Sequence, residues 1–178
     1  QSHGMISALM EQSYKGGRDI NDREIAHMMI ALLMAGQHTS SATGSWAMLR
    51  LASRPEIIEE LYEEQVRVYS DGAGGFAPLD YDTQKSSVPV LDAVIRETLR
   101  MHPPIHSLMR RVKSDMVVPP TLAAPKTGKG QSTDTYVIPK GHYLVAAPGV
   151  SQIDPHVWCD ADKFDPHRWL GDKTLIDQ

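Results

Sequence analysis

The chain has a single cysteine, Cys159, which excludes an intrachain disulfide and any CxxC metal site and is compatible with a reducing compartment. It has no run of Lys and Arg. A net charge of −4 and a pI of about 6.0 argue against a surface built for nucleic acid or anionic lipid. Long hydrophobic runs are also missing. The most apolar stretch, Ile25 to Ala35, is about 11 residues long and contains His27, whereas a membrane span needs ~20. No signal peptide or anchor is visible. The chain starts at Gln1 rather than Met, and it reads as a segment cut at both ends. It shows no internal repeat and no linker. The histidines are scattered, and His102 and His106 straddle two prolines rather than sharing a helix face, so a two-zinc or hydrolase site has no support.

What is present is ordinary for a globular chain. The 178 residues, 41% hydrophobic and 22% charged, fit one domain or part of one. Asn21 followed three residues later by Glu24 reads as a capping box opening a long helix. That helix closes near Ser53-Arg54-Pro55, because proline disfavours helix at the residue before it. About 30 residues at ~1.5 Å each make a rod roughly 45 Å long. Ile25, Met28, Met29, Leu32, Trp46 and Leu49 recur at helical spacing, which predicts that both ends are packed. Ser2 to Tyr14 reads as a helix stopped by Lys15-Gly16-Gly17. A helix from Pro55 to Tyr69 should bury Ile57, Ile58, Leu61, Gln65 and Val68. A short helical turn is expected at Asp80 to Gln84. A firmer helix runs from Val88 to Met101, with Leu91, Val94, Ile95 and Leu99 as its apolar stripe, until His102-Pro103-Pro104 stops it.

Beyond Pro104 the period changes to about two. Leu108 to Val118 reads as a strand. Thr135 to Ile138 and Tyr143 to Ala147 read as a pair, joined through Ile138-Pro139-Lys140-Gly141 with proline second and glycine fourth, as suits a type I turn. Pro119 to Ser132 reads as a surface loop, and the tail from Val150 as turns. The class is therefore mainly α with a small β portion.

Three patterns carry chemistry. In the middle of the long helix, Gly36, Thr39, Ser40 and Thr43 fall on one face at i, i+3, i+4 and i+7. Such a small, hydroxyl-rich notch suits a partner other than a side chain. It equally admits a structural reading, in which glycine allows close helix crossing and the hydroxyls bond back to carbonyls one turn earlier. Glu97 and Arg100 form a Glu-x-x-Arg pair on one helix face. Glu64 and Arg67 repeat that spacing, but among other acids, and read as a surface pair. Last comes Phe164-Asp165-Pro166-His167-Arg168-Trp169.

In this order, the notch helix, the Glu-x-x-Arg helix and the Phe-x-Pro-x-Arg-Trp segment resemble the cytochrome P-450 family of haem-thiolate monooxygenases. The resemblance covers residues 1–178 as one partial catalytic domain, the middle to late part of a family member. Within the family the chain is similar to the fungal sterol 14-alpha demethylases. Those have His where most members have an acid before the helix threonine, as His38 stands before Thr39 here. His102-Pro103-Pro104-Ile105-His106-Ser107-Leu108-Met109-Arg110 and the insertion-like Pro119–Ser132 loop are similar to theirs as well.

The resemblance implies a set of roles. Ala35 and Gly36 would line the distal haem face, Thr39 would hold the oxygen ligand and its water, and His38 would serve a proton relay, a task suited to a side chain that titrates near neutrality. Glu97, Arg100 and Arg168 would form a buried ion network behind the haem. Arg110 would meet a haem propionate. Ile105, His106, Ser107 and Met109 would touch sterol or an azole inhibitor. The family's iron-ligating cysteine lies in a Phe-x-x-Gly-x-x-x-Cys-x-Gly loop downstream of Phe-x-Pro-x-Arg. Cys159 precedes Phe164 and has no such glycines, so the axial cysteine is absent here, no metal ligand is assigned, and the chain alone is expected to be inactive. The parent reaction would remove a sterol methyl group with dioxygen and NADPH electrons delivered by a reductase. The protein would sit at the cytosolic face of the endoplasmic reticulum membrane through a segment absent here, with no nucleic-acid partner. The rival reading is a non-catalytic helical binding module whose motifs coincide by chance.

Overall fold

The structure is a computed structural model, and it describes residues 4–118 and 136–171. The expected loop Pro119–Ser132 and the first strand residue Thr135 lie outside the described residues. The chain divides into two compact units, one formed by residues 1–104 with 164–178 and the other by residues 105–163.

The first unit is helical: α1 (Met5–Met10), α2 (Asp22–Ala52), α3 (Pro55–Tyr69), α4 (Tyr81–Ser87) and α5 (Pro89–Met101), with a 3-10 turn at Pro166–Trp169. Local chemistry sets most boundaries. α2 begins in a complete capping box, with the Asn21 side chain accepting from the Glu24 N–H and the Glu24 carboxylate accepting from the Asn21 N–H. Arg18 reinforces the box at 2.9 Å from Glu24. Its hydrogen bond, then that of the Asn21 N–H, holds the Glu24 carboxyl down at about 2. Prolines occupy the first turns of α3 and α5, where the missing N–H costs nothing. α1 is shorter than expected. It buries no residue and ends at Met10, and Gly17, with φ +79°, instead turns the chain between the bridged residues Ser13 and Asp19.

α5 is the hub of this unit, touching α2, α3 and the 3-10 turn. The core joins Ile57, Val94 and Phe164, with Leu51, Leu61 and Met101 packed around them. Two expectations fail here. The buried face of α5 is Ala93, Val94, Glu97, Thr98 and Arg100, whereas Ile95 and Leu99 are exposed. The buried ion pair rotates the helix away from its purely apolar stripe. Glu64 is no surface residue. It is 1% exposed, and its carboxylate accepts the Val90 and Leu91 N–H groups at 2.7 and 2.9 Å, capping the first turn of α5 from α3. α2 is also barer than expected. Ile25 is buried, but Leu32, Trp46 and Leu49 are exposed.

The second unit carries β1 (Leu108–Arg111), β2 (Met116–Val118), β3 (Tyr136–Ile138), β4 (Tyr143–Ala146) and the short α6, which is Pro148–Ser151. The expected pairing of the last two strands does not occur. β1 pairs antiparallel with β4, from Leu108↔Ala146 to Arg111↔Tyr143, and β2 with β3, from Met116↔Ile138 to Val118↔Tyr136. Both ladders keep one register, with residues 112–115 opposite 139–142, so they form one ribbon bent at a corner. Val112 stitches that corner, donating to the His142 carbonyl and accepting from Gly141, each at 2.9 Å. The Lys140 N–H adds a bond to Asp115 at 2.8 Å. The turn is shifted one residue from expectation. The His142 N–H donates to the Pro139 carbonyl at 3.3 Å, which puts Gly141, with φ +93°, at the third position, as a type II turn requires.

Candidate functional site

The most concentrated polar chemistry of the first unit surrounds Glu97. The i, i+3 spacing on α5 points Glu97 and Arg100 to the same side, and their side chains are 0% and 1% exposed. Arg100 grips the carboxylate with a two-pronged fork, Nε to Oε2 at 2.8 Å and a second guanidinium nitrogen to Oε1 at 2.8 Å. The 3-10 turn supplies the rest: the Asp165 N–H at 3.0 Å, Arg168 Nε at 3.1 Å and Trp169 Nε1 at 2.9 Å. Five donors, from residues up to 72 positions from Glu97, thus converge on one carboxylate.

The turn is built for this. The Asp165 side chain caps it by accepting from the His167 N–H, and Pro166 presets its first position. His167 ties it to α3 through Glu60 at 2.8 Å. That bond lifts the imidazole above its ordinary range, against the opposing effect of burial. Burial alone would raise the Glu97 carboxyl. The hydrogen bonds from Arg100, Asp165 and Trp169 outweigh it and hold the group below the usual carboxylate range. Removing either guanidinium would leave a buried charge short of its partner, the costly half of any buried ion pair.

Along α2, Ala35, Gly36, His38 and Thr39 are all exposed. The Thr39 hydroxyl donates to the Ala35 carbonyl at 2.7 Å, and Ser41 makes the same bond to Gln37 at 2.7 Å. The Thr39 and Ser41 hydroxyls therefore bond back one turn, and α2 remains unbroken helix through the notch. A Cβ placed on Gly36 would meet nothing within 4 Å, so the space beside the notch is open.

In the second unit, Ile105, His106, Ser107, Met109 and Arg110 form one exposed segment leading into β1. His106 Nδ1 and the Ser107 hydroxyl are 3.0 Å apart. Arg110 donates to the Met109 carbonyl at 2.9 Å, which engages one N–H of a five-donor fork. Cys159 is exposed, in a turn that also holds the Asp160–Lys163 ion pair at 3.0 Å. Among the described residues no group of three or more His, Cys, Asp or Glu could hold a metal ion, and no helix is long and apolar enough to cross a membrane.

Sequence reasoning missed three participants. Trp169 stood inside the quoted motif, where its indole N–H could have been counted as a donor to a buried acid. Glu64 gave no local signal. The third is a stack at the far end of α2, where the Trp46 and His102 rings lie parallel with centroids 3.8 Å apart. Arg50 Nε donates to His102 Nε2 at 3.0 Å. Burial, then the Arg50 charge, pushes that imidazole down and keeps it a neutral acceptor.

Comparison with known proteins adds the context of whole chains. A family model described as Cytochrome P450 matches residues 2–178. The chain is 70% identical over 170 residues to a lanosterol 14-alpha demethylase of Mycosarcoma maydis, a match covering 96% of this chain and 30% of that protein. It is 48% identical over 167 residues to an eburicol 14-alpha-demethylase of Uncinula necator, covering 94% and 29%. It is 46% identical over 173 residues to a lanosterol 14-alpha demethylase of Eremothecium gossypii, covering 97% and 30%. The chain thus spans about 30% of the length of the curated relatives it matches.

Proposed function

The chain belongs to the cytochrome P450 family, and from that premise we propose that it supplies the oxygen-side helix, the buried ion network and part of the substrate wall of a sterol 14-alpha demethylase. The observation that carries the reading is the five-donor convergence on Glu97, together with relatives that share the demethylase name over nearly all of this chain.

The residues present fit a haem. Ala35 and Gly36 put no atom beyond a methyl group on their stretch of α2, and open space lies beside Gly36, as close approach of a flat macrocycle requires. Arg110 is exposed, and its remaining donors suit a propionate carboxylate. An exposed Cys159 does not offer the shielded thiolate such an iron takes, so the axial ligand is assigned to a cysteine outside residues 1–178. Bound haem supplies the activation of dioxygen, and the protein positions substrate and delivers protons.

The side chains divide that labour. The Thr39 hydroxyl, anchored on the Ala35 carbonyl, keeps its lone pairs for a water in the notch. His38, one residue earlier, passes protons toward that water. Ile105, His106, Ser107 and Met109 bear on the sterol, and azole inhibitors would meet the same segment. Glu97, Arg100 and Arg168 touch no substrate. They hold α5 and the 3-10 turn as one rigid support. Electrons come from NADPH through a flavoprotein reductase, at the cytosolic face of the endoplasmic reticulum membrane. No observation favours the alternative of a non-catalytic helical module.

The test is a chimera in which this chain replaces the matching 170 residues of the M. maydis relative. It should bind haem, give the strongly red-shifted Soret band of a thiolate-ligated ferrous carbonyl, shift spectrally with lanosterol and release the demethylated sterol. A haem-loaded chimera that neither binds nor demethylates lanosterol would overturn the reading.

A further inference from the structure

We propose that Gly149 is a positioning residue for the ligand-facing segment Ile105–Met109, and that its missing side chain sets the place of the His106 imidazole. The proposal rests on the demethylase reading above and names a residue outside the motifs that support it. Gly149 is buried in α6. Its N–H donates to the His106 carbonyl at 3.2 Å, fixing the two backbones side by side. The imidazole lies over the glycine so closely that a Cβ there would fall 2.2 Å from His106 Cδ2, 2.5 Å from Nε2 and 2.7 Å from Cγ.

The third distance decides the consequence. Cγ is the root of the ring, so spinning the ring about its own axis cannot relieve the clash, and the whole imidazole must swing to another χ1 rotamer. In leaving, it gives up Ser107, whose hydroxyl is 3.0 Å from Nδ1. The backbone does not demand glycine. Gly149 is helical and is not among the glycines with positive φ, and alanine is the better helix former. The three atoms nearest to a Cβ at 149 all belong to the ring, so the requirement for glycine comes from the ring rather than from the backbone conformation. Two side chains of the segment, His106 and Ser107, owe their arrangement to an atom that is not there.

The chimera described above, as haem-loaded protein, provides the test. Gly149→Ala, His106→Ala and the double variant are each titrated with lanosterol by the spectral shift, with haem content and Tm recorded alongside. Gly149→Ala should weaken lanosterol binding about three- to tenfold, as His106→Ala does. The double variant should bind no worse than His106→Ala, because the atoms an alanine at 149 would meet first are gone with the imidazole. Haem content and Tm should match the unmodified chimera in all three. The proposal is overturned if Gly149→Ala binds lanosterol normally, if His106→Ala does, if the two losses add, or if Gly149→Ala lowers Tm equally with and without His106. An unmodified chimera that takes up haem but not lanosterol is a different result, which removes the demethylase reading and this proposal with it.

Discussion

At the scale of single residues, Glu97 carries the largest consequence. Glu97→Ala in the chimera leaves Arg100 and Arg168 facing each other without the carboxylate they share, at a cost of ~3–5 kcal/mol. That is a large part of the ~5–15 kcal/mol that holds a typical domain together. The expected outcome is loss of haem loading and a lower urea midpoint, and a stable, fully loaded Glu97→Ala protein would contradict it. The pH dependence has a definite sign. The Glu97 carboxyl is held below its ordinary range, so its stabilisation is present above the ordinary glutamate range and lost as pH falls through the depressed value. The stability gap between the unmodified chimera and Glu97→Gln should therefore shrink on acidification. Thr39→Ala acts differently. It removes one hydroxyl and little apolar area, so lanosterol affinity should change by less than about 1 kcal/mol. Proton delivery should suffer more, up to ~10²-fold, and NADPH consumption should yield more hydrogen peroxide and less demethylated sterol. A variant that binds lanosterol tenfold worse yet stays coupled would make Thr39 a packing residue only.

At the scale of elements, the revealing contact is the cap that α3 places on α5. Glu64 is almost fully buried and bonds two backbone N–H groups. Glu64→Gln keeps the shape but turns an amide N–H toward one of those donors. It should cost ~1–3 kcal/mol and lower the urea midpoint with an unchanged slope, whereas the neighbouring Glu63→Gln should do little. This contact also marks the limit of legibility in the sequence. Several helix ends were readable because their causes lie within a few residues: Asn21 with Glu24, and Pro55 and Pro103 at the borders. The Glu-x-x-Arg pair and the Phe-to-Trp segment were readable as motifs. Glu64 was not, because its acidic neighbours describe the outside of α3, while its own direction is settled by an N-terminus 26 residues later. Strand pairing failed for the same reason. Alternation shows that Tyr136–Ile138 and Tyr143–Ala146 are extended, but the partner of each is decided by chain from 18 to 38 residues earlier.

At the scale of the molecule, the apolar side chains of α2 stand out. Ile30, Leu32, Leu33, Met34, Met48 and Leu49 are all exposed along a 31-residue helix. Exposed apolar surface of this extent promotes association. The chain expressed alone should bind a hydrophobic dye such as ANS and self-associate at micromolar concentration, as light scattering would report. Mixed with haem, reduced and exposed to carbon monoxide, it should not give the red-shifted thiolate band. Appearance of that band would bring Cys159 back as a ligand.

The bent ribbon of the second unit has a consequence for how its sequence can change. Four residues stand opposite four at the corner, 112–115 against 139–142, so the two ladders stay in phase. Removing one residue from one side alone would put every side chain beyond the corner on the opposite face, because strand faces alternate with a period of two. Met116–Val118 would then meet its partner inverted while Leu108–Arg111 kept its own orientation. Removing one residue from each side would restore the match. The corner thus works as a reading frame written in backbone, in which paired length changes keep the two ladders in phase and single ones are frameshifts.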